Sequence, residues 1–497
     1  MGLCRRICFR VLSMDNFLSR IPSRYWGYSA LALWGAIFLF LLRHDFYGLD
    51  EGAAKSLLLL WSVADNIASA VVTLGAPDLR SALFVPAGVL WTGSIVAPKI
   101  FALLFMACAV GLLYIWNQRN AGSENALLAS GLLLLSPLTL QQIDTLSPGV
   151  FLLFSFALGA WLNEAYRGAP RPLGGWYFAQ LFVCALSVSL HPAGLAYPLT
   201  LLWSWHKQPL DQKQKQYFFV GICFIVAFTL LVRGGWNDLD WVHNPFISLS
   251  SIALAADTNN APGAMQWFVG GLALAALIAT ILKQHRQVWA DFTGRMFLIA
   301  VIIGFVSCDL SWAMIALCLM SYFGLSWLLR LPLPFTRGFM HQRGAALLLL
   351  FVLSTLFMRA DKEHYLLRQS GLLSDQDQLI LALASEAERI RLINEEPHDS
   401  KLTQRIRASS QWPGRTMIAC KCDSLPLPPA AEDAAAQLNM MKSITHLLFD
   451  PQSPRNQLLA RNLAALGGSE VETQALQPGG VLLHFRTLAP VQTTGRK

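Results

Sequence analysis

An acidic pair, Asp50 and Glu51, follows the first long apolar run of the chain in the segment R-H-D-F-Y-G-L-D-E-G-A-A-K-S, with Asp45 just before it. A carboxylate in such a place can act as a general base on a hydroxyl or amine, provided that burial and neighbours tune its basicity. Taken alone, the dipeptide reads better as a solvated loop. Asp309, between two later apolar runs, reads as a helix cap in preference to a cavity group, and Trp236, Trp241 and Trp267 read as an interfacial aromatic belt, with sugar stacking as the alternative. No P-loop, G-x-G-x-x-G, H-E-x-x-H or G-x-S-x-G pattern occurs, which removes the commonest soluble-enzyme chemistries. Cys420 and Cys422 form a C-x-C pair, poorly spaced for a local disulfide and without a second ligand pair for zinc, so it is expected to be incidental.

The elements that must position these residues are membrane helices. Of 497 residues, 54% are hydrophobic and 14% charged, with mean hydropathy +0.45. A soluble chain carries about a quarter charged residues, so much of this one belongs in lipid. The net charge of +8 is scattered between apolar runs, which points to topology-fixing loops and away from nucleic acid. About eleven spans are expected, over 25–42, 98–116, 126–140, 148–162, 176–190, 193–205, 217–232, 265–282, 295–308, 310–329 and 344–358. With the N-terminus in the cytoplasm, every inner loop is basic, whereas the outer turns 141–147, 191–192 and 308–309 hold no Lys or Arg. That alternation places the C-terminus outside.

Two outer segments do more than connect spans. The first, 43–97, contains a helix over 51–63 that is expected to lie along the membrane surface or to pack as a re-entrant segment. The second, 359–497, is more highly charged and reads as a small soluble α/β domain beyond a transmembrane domain of residues 1–358. Its expected elements are helices over 375–393 and 455–466 and strands over 415–420, 443–449 and 480–485.

The order of these features resembles the GT-C superfamily of lipid-linked glycosyltransferases, in the branch of protein O-mannosyltransferases and the bacterial aminoarabinose transferase. D-E-G-A-A-K is similar to the start of that family's first-loop helix. P-K-I-F-A-L-L-F-M-A-C-A-V-G-L-L-Y, L-L-L-L-S-P-L and S-P-G-V-F-L-L-F-S-F-A-L-G-A-W-L are similar to its second, third and fourth spans, and S-L-H-P-A-G-L-A-Y-P-L to the hinge before its sixth. The resemblance covers roughly 26–205. It implies a GT-C-like polytopic α-helical fold, a polyprenyl-phosphate sugar donor, a periplasmic acceptor and a bacterial inner-membrane location. Asp50 would then be the catalytic base and Glu51 its companion.

The family's second-loop acid abuts the fourth span; here Ser147 and Pro148 stand there, and Asp144 is the nearest acid. Where the family has Arg two residues after the Glu, this chain has Ala53 and then Lys55. The leaving group implied is a lipid phosphate, whose charge Lys55, Arg80, Lys99 and Arg233 could receive, with His191 and His243 as hydrogen-bond donors. Each cation has an alternative as a snorkelling interfacial residue. The resemblance calls for no cofactor and neither requires nor excludes a divalent metal. Two other readings stand beside the enzyme. A non-catalytic assembly protein would keep the GT-C frame, and a transporter or flippase would need charges at mid-span, where this sequence has almost none.

Overall fold

The computed structural model describes residues 32, 34–39, 42, 49–64, 79–91, 93–168, 174–207, 212–233, 244–254, 264–324, 375–395, 406–441, 444–449, 456–465, 471–476 and 480–485. The expected span at 344–358, the loop residues Asp45, Trp236, Trp241 and His243, and most of the span at 25–42 lie outside them.

Residues 34–39 are helical. The segment 43–97 supplies α1 (Glu51–Ala64) and α2 (Arg80–Leu90), which pack against each other. Then come α3 (Val96–Ala121), α4 (Ser123–Leu134), α5 (Pro137–Asp144), α6 (Pro148–Gly168), α7 (Gly175–Leu190), α8 (Ala196–His206) and α9 (Gln212–Arg233). The series continues with α10 (Pro245–Ser250), α11 (Ala264–Ala290), α12 (Phe292–Gly304) and α13 (Leu310–Leu319). Among the described residues, four helices are long and apolar enough to cross a membrane: those at Val96–Ala121, Pro148–Ala165, Gln212–Val232 and Ala264–Ala290.

The expected span over 126–140 is broken. Leu135 and Ser136 stand between α4 and α5, and the pair bends by 54°. The cause is local: proline has no amide hydrogen for the helix ladder and disfavours helical geometry in the residue before it. Pro137 instead takes the first position of α5, where that hydrogen is not needed.

Helix α6 is the centre of the bundle. Phe151 and Phe156 are buried in it, Phe151 meeting Phe84 of α2 and Phe105 of α3 edge-on and Phe156 meeting Phe297 of α12. By contrast, α9 and α11 expose Phe219, Phe224, Phe228, Met265, Phe268 and Leu272. Water would not tolerate such continuous apolar faces, and lipid would.

The tail forms α14 (Asp375–Glu395), β1 (Arg407–Ser410), α15 (Pro413–Cys420), β2 (Asp423–Pro426), α16 (Ala434–Met440), β3 (His446–Phe449), α17 (Gln457–Ala465), β4 (Val471–Leu476) and β5 (Gly480–Phe485). The five strands run in the order β2-β1-β3-β5-β4. β1 is parallel to β2 and β3; β5 is antiparallel to β3 and β4. Both faces of β3 are covered, because alternate residues of a strand point to opposite sides. Leu448 joins Leu379, Ile380 and Leu383 of α14, while Leu447 and Phe449 join Met441, Ile444 and Leu459.

Two expectations for the tail are corrected. Residues 415–420 are helical, because Pro413 starts α15 and the short apolar run M-I-A-C has no period that separates strand from helix. The first strand instead lies at β1. Cys420 and Cys422 form a disulfide, with their Cα atoms 5.2 Å apart. Lys421 between them adopts a left-handed conformation, φ 51°, which turns the chain so that the two side chains meet.

Candidate active site

Asp50 is placed by three elements at once. Its own amide donates to the carbonyl of Thr145 (2.8 Å), so the start of α1 is tied to the turn between α5 and α6. Its carboxylate oxygen Oδ1 accepts from the amide of Ala53 (3.0 Å), capping α1. The same oxygen meets Nη2 of Arg80 at 2.6 Å. Arg80, buried at the start of α2, also donates from Nη1 to the carbonyl of Leu146 (2.8 Å). Leu146 has φ 55°, a left-handed conformation that costs a branched side chain on the order of 1–2 kcal/mol. That cost turns the carbonyl toward the guanidinium, and such held backbone outliers gather at functional sites.

The same turn carries a second pair. Lys99, in the first turn of α3, has no exposed surface, and its Nζ lies 3.7 Å from Oδ1 of Asp144, the last residue of α5. A buried carboxylate, a partly buried one and two buried cations are therefore gathered on residues 144–146. Buried charges persist only when paired, and a pair that can exchange partners is suited to receiving an anion.

Glu51 goes elsewhere. Its Oε1 accepts from the amide of Gly414 (2.7 Å) and its Oε2 from that of Arg415 (3.1 Å), at the first turn of the tail helix α15. Burial pushes its carboxyl up to about 7, against the opposing pull of Lys55, the two amides and Arg415. Lys55, four residues along α1, faces this carboxylate. Arg415 in turn pairs with Asp377 of α14, so buried charge holds α15 to α14 while Glu51 holds α15 to α1.

His191 lies in a separate cluster. Its Nδ1 accepts from the amide of Ala193 (3.1 Å), which assigns the proton to Nε2, directed at Oδ2 of Asp309 (3.1 Å) and beside Oγ of Ser307 (3.3 Å). Asp309 caps α13 through the amide of Trp312 (2.8 Å), as expected, and serves His191 as well. Cys308, before it, has φ 45°. Helix α13 packs on α5 and α6, which brings this clasp to the same region as the Asp144 turn. Arg233 ends α9, and its side chain lies outside the described residues.

Among the described residues no group of three or more His, Cys, Asp or Glu side chains could hold a metal ion. Arg80 and Lys99 already face the two carboxylates and would repel a divalent cation placed between them, so this donor set does not fit one. Sequence reasoning missed the carbonyls of Thr145 and Leu146, the amides of Gly414 and Arg415, and the pairing of His191 with Asp309. Backbone groups leave no sequence signal. The last pairing had one, since both residues stand in turns devoid of Lys and Arg.

No family model matches the chain, and no curated protein matches it significantly. Solved structures do. The Archaeoglobus fulgidus oligosaccharyltransferase in its apo form aligns with a TM-score of 0.50 at 11% identity, covering 86% of this chain and 70% of that one. The same organism's oligosaccharyltransferase AglB, in complex with an inhibitory peptide and a dolichol-phosphate, also aligns with a TM-score of 0.50 at 11% identity, covering 94% and 75%. ArnT from Cupriavidus metallidurans, bound to undecaprenyl phosphate, aligns with a TM-score of 0.47 at 12% identity, covering 94% and 99%. The chain therefore has the fold of the GT-C glycosyltransferases.

Proposed function

We propose that the protein is a glycosyltransferase that moves a sugar from a polyprenyl-phosphate donor to an acceptor at the outer face of the bacterial inner membrane. The observation that carries this reading is the convergence of Asp50–Arg80 and Asp144–Lys99 on one turn of a GT-C fold. Asp50 accepts the proton of the acceptor hydroxyl or amine as that atom bonds to the anomeric carbon. The bond from the anomeric carbon to the phosphate oxygen breaks, with inversion. The polyprenyl phosphate leaves as an anion, and Lys99 and Arg80 receive its charge in a buried setting where each contact is stronger than in water.

The disulfide supports an external tail, since such bonds persist in oxidising compartments. The exposed apolar faces of α9 and α11 support a bilayer around the bundle, and the basic inner loops support a cytoplasmic N-terminus. The test is release of free polyprenyl phosphate, read by mass spectrometry, when the purified full chain meets a panel of polyprenyl-phosphate sugars and candidate acceptors. Acceptor-dependent release that Asp50→Asn abolishes is the expected result. Undecaprenyl phosphate failing to bind the wild type would sink the reading, and binding with no turnover across the panel would favour the non-catalytic assembly protein.

A further inference from the structure

Resting on the reading of Asp50 as the base, we propose that Glu51 is a positioning residue through which the seated tail helix α15 holds the lipid-phosphate site in its binding geometry. Asp50 and Glu51 are consecutive, at the cap and the first position of α1, yet they serve different partners. Asp50 holds Arg80 and, through its amide, the turn carrying Asp144 and Leu146. Glu51 holds two amides of the tail, more than 360 residues away in the chain. Two neighbouring residues of one helical turn move together, so a displacement at one carboxylate reaches the other without an intervening soft element.

The junction is close-packed. A Cβ added to Gly414 would lie 3.0 Å from Oε1 of Glu51, 3.2 Å from Cβ of Ala54 and 3.2 Å from the amide nitrogen of Lys55. Glycine is thus what lets α15 approach α1 closely enough for both amides to reach the carboxylate. The charged groups around Glu51 are Lys55 on its own helix and Arg415 on α15, and Asp377 of α14 fixes Arg415. A side chain whose only task was to orient the acceptor would not spend both oxygens on a distant segment.

Linkage of this kind is reciprocal: a ligand favoured by the seated state must also favour seating. The experiment is hydrogen exchange over residues 413–420 of the full chain in nanodiscs, with and without undecaprenyl phosphate, alongside direct measurement of that lipid's affinity. In the wild type the lipid should slow exchange in the segment several-fold. Glu51→Gln replaces one accepting oxygen with an NH2 group facing an amide donor, and should raise exchange and weaken lipid binding by similar factors, about ten-fold. Gly414→Ala alters no site side chain and should act in the same direction. If the wild type binds the lipid while exchange in 413–420 is unchanged, or if both variants bind it with wild-type affinity, the linkage is wrong and the glycosyltransferase reading survives. Failure of the wild type to bind the lipid at all would overturn both.

Discussion

Replacing Lys99 by Met removes a buried cation while keeping the length and apolar volume of its stem. At 3.7 Å and an effective dielectric of about 20, the attraction between Lys99 and Asp144 is roughly 4.5 kcal/mol before desolvation is counted. Lys99→Met therefore takes this cation from the Asp144 carboxylate, and removing one member of a buried ion pair costs about 3–5 kcal/mol. The double variant Lys99→Met/Asp144→Asn removes both charges and should regain most of that stability. Lipid binding should separate from stability, because the phosphate needs the cation whether or not Asp144 is present. Losing one charge-assisted contact of about 1.5–3 kcal/mol weakens undecaprenyl phosphate binding by about ten-fold to a hundredfold in both variants. Thermal unfolding in detergent reads the first quantity and binding to nanodisc-held protein the second. A double variant as unstable as the single would show that the pair is not coupled. Wild-type lipid affinity in Lys99→Met would place the phosphate elsewhere.

Asp50→Asn keeps volume but removes the basic oxygen, so transfer should fall by about a hundredfold or more while undecaprenyl phosphate still binds; undiminished transfer would refute the base assignment. Because burial raises the Glu51 carboxyl from 4.5 to about 7, its seated form favours the proton, and that stabilisation is complete below about pH 4.5 and lost as the pH rises through 7. The stability of wild type relative to Glu51→Gln should accordingly fall between pH 5 and 8, and a flat difference would argue against a buried carboxyl. Replacing Cys420 and Cys422 by Ser opens a three-residue loop and should cost about 1.6 kcal/mol, read as a lower unfolding temperature that reductant reproduces only in the wild type. Alkaline phosphatase fused after Met358 should be active and green fluorescent protein there dark, and the opposite pattern would place the tail in the cytoplasm.

The helices of the bundle were legible wherever a run was both long and apolar, as in α3, α6, α9 and α11, since composition alone decides whether a segment prefers lipid. Boundaries were legible only where a residue enforces them. Pro137 breaks the run 126–140 in a way that a hydropathy window averages out, although the proline itself announces the break. In the tail, β5 and the helix from Asp375 emerged at the expected places, while α15 did not. Six residues of mixed character carry too little periodicity, and the contacts that decide their state, Glu51 on Gly414 above all, come from the far end of the sequence.

The site divides along the same line. Residue types are plain in the sequence, so Asp50, Arg80, Lys99 and Asp144 were identifiable as chemically capable groups. Which cation meets which carboxylate was not, because the partners are separated by 30 and 45 residues and are matched by the packing of α2, α3 and α5. The pairing determines the chemistry all the same. In the proposed reaction Asp50 with Arg80 would be a base held beside a fork of donors, and Asp144 with Lys99 an anion that holds a point charge in place until the phosphate arrives. An arginine can bridge a carboxylate and a phosphate at once through separate N–H groups, whereas a lysine released from its carboxylate follows the phosphate. In the proposed transfer the two cations would therefore act differently, Arg80 orienting the base while sharing the phosphate charge and Lys99 following that charge as the phosphate leaves.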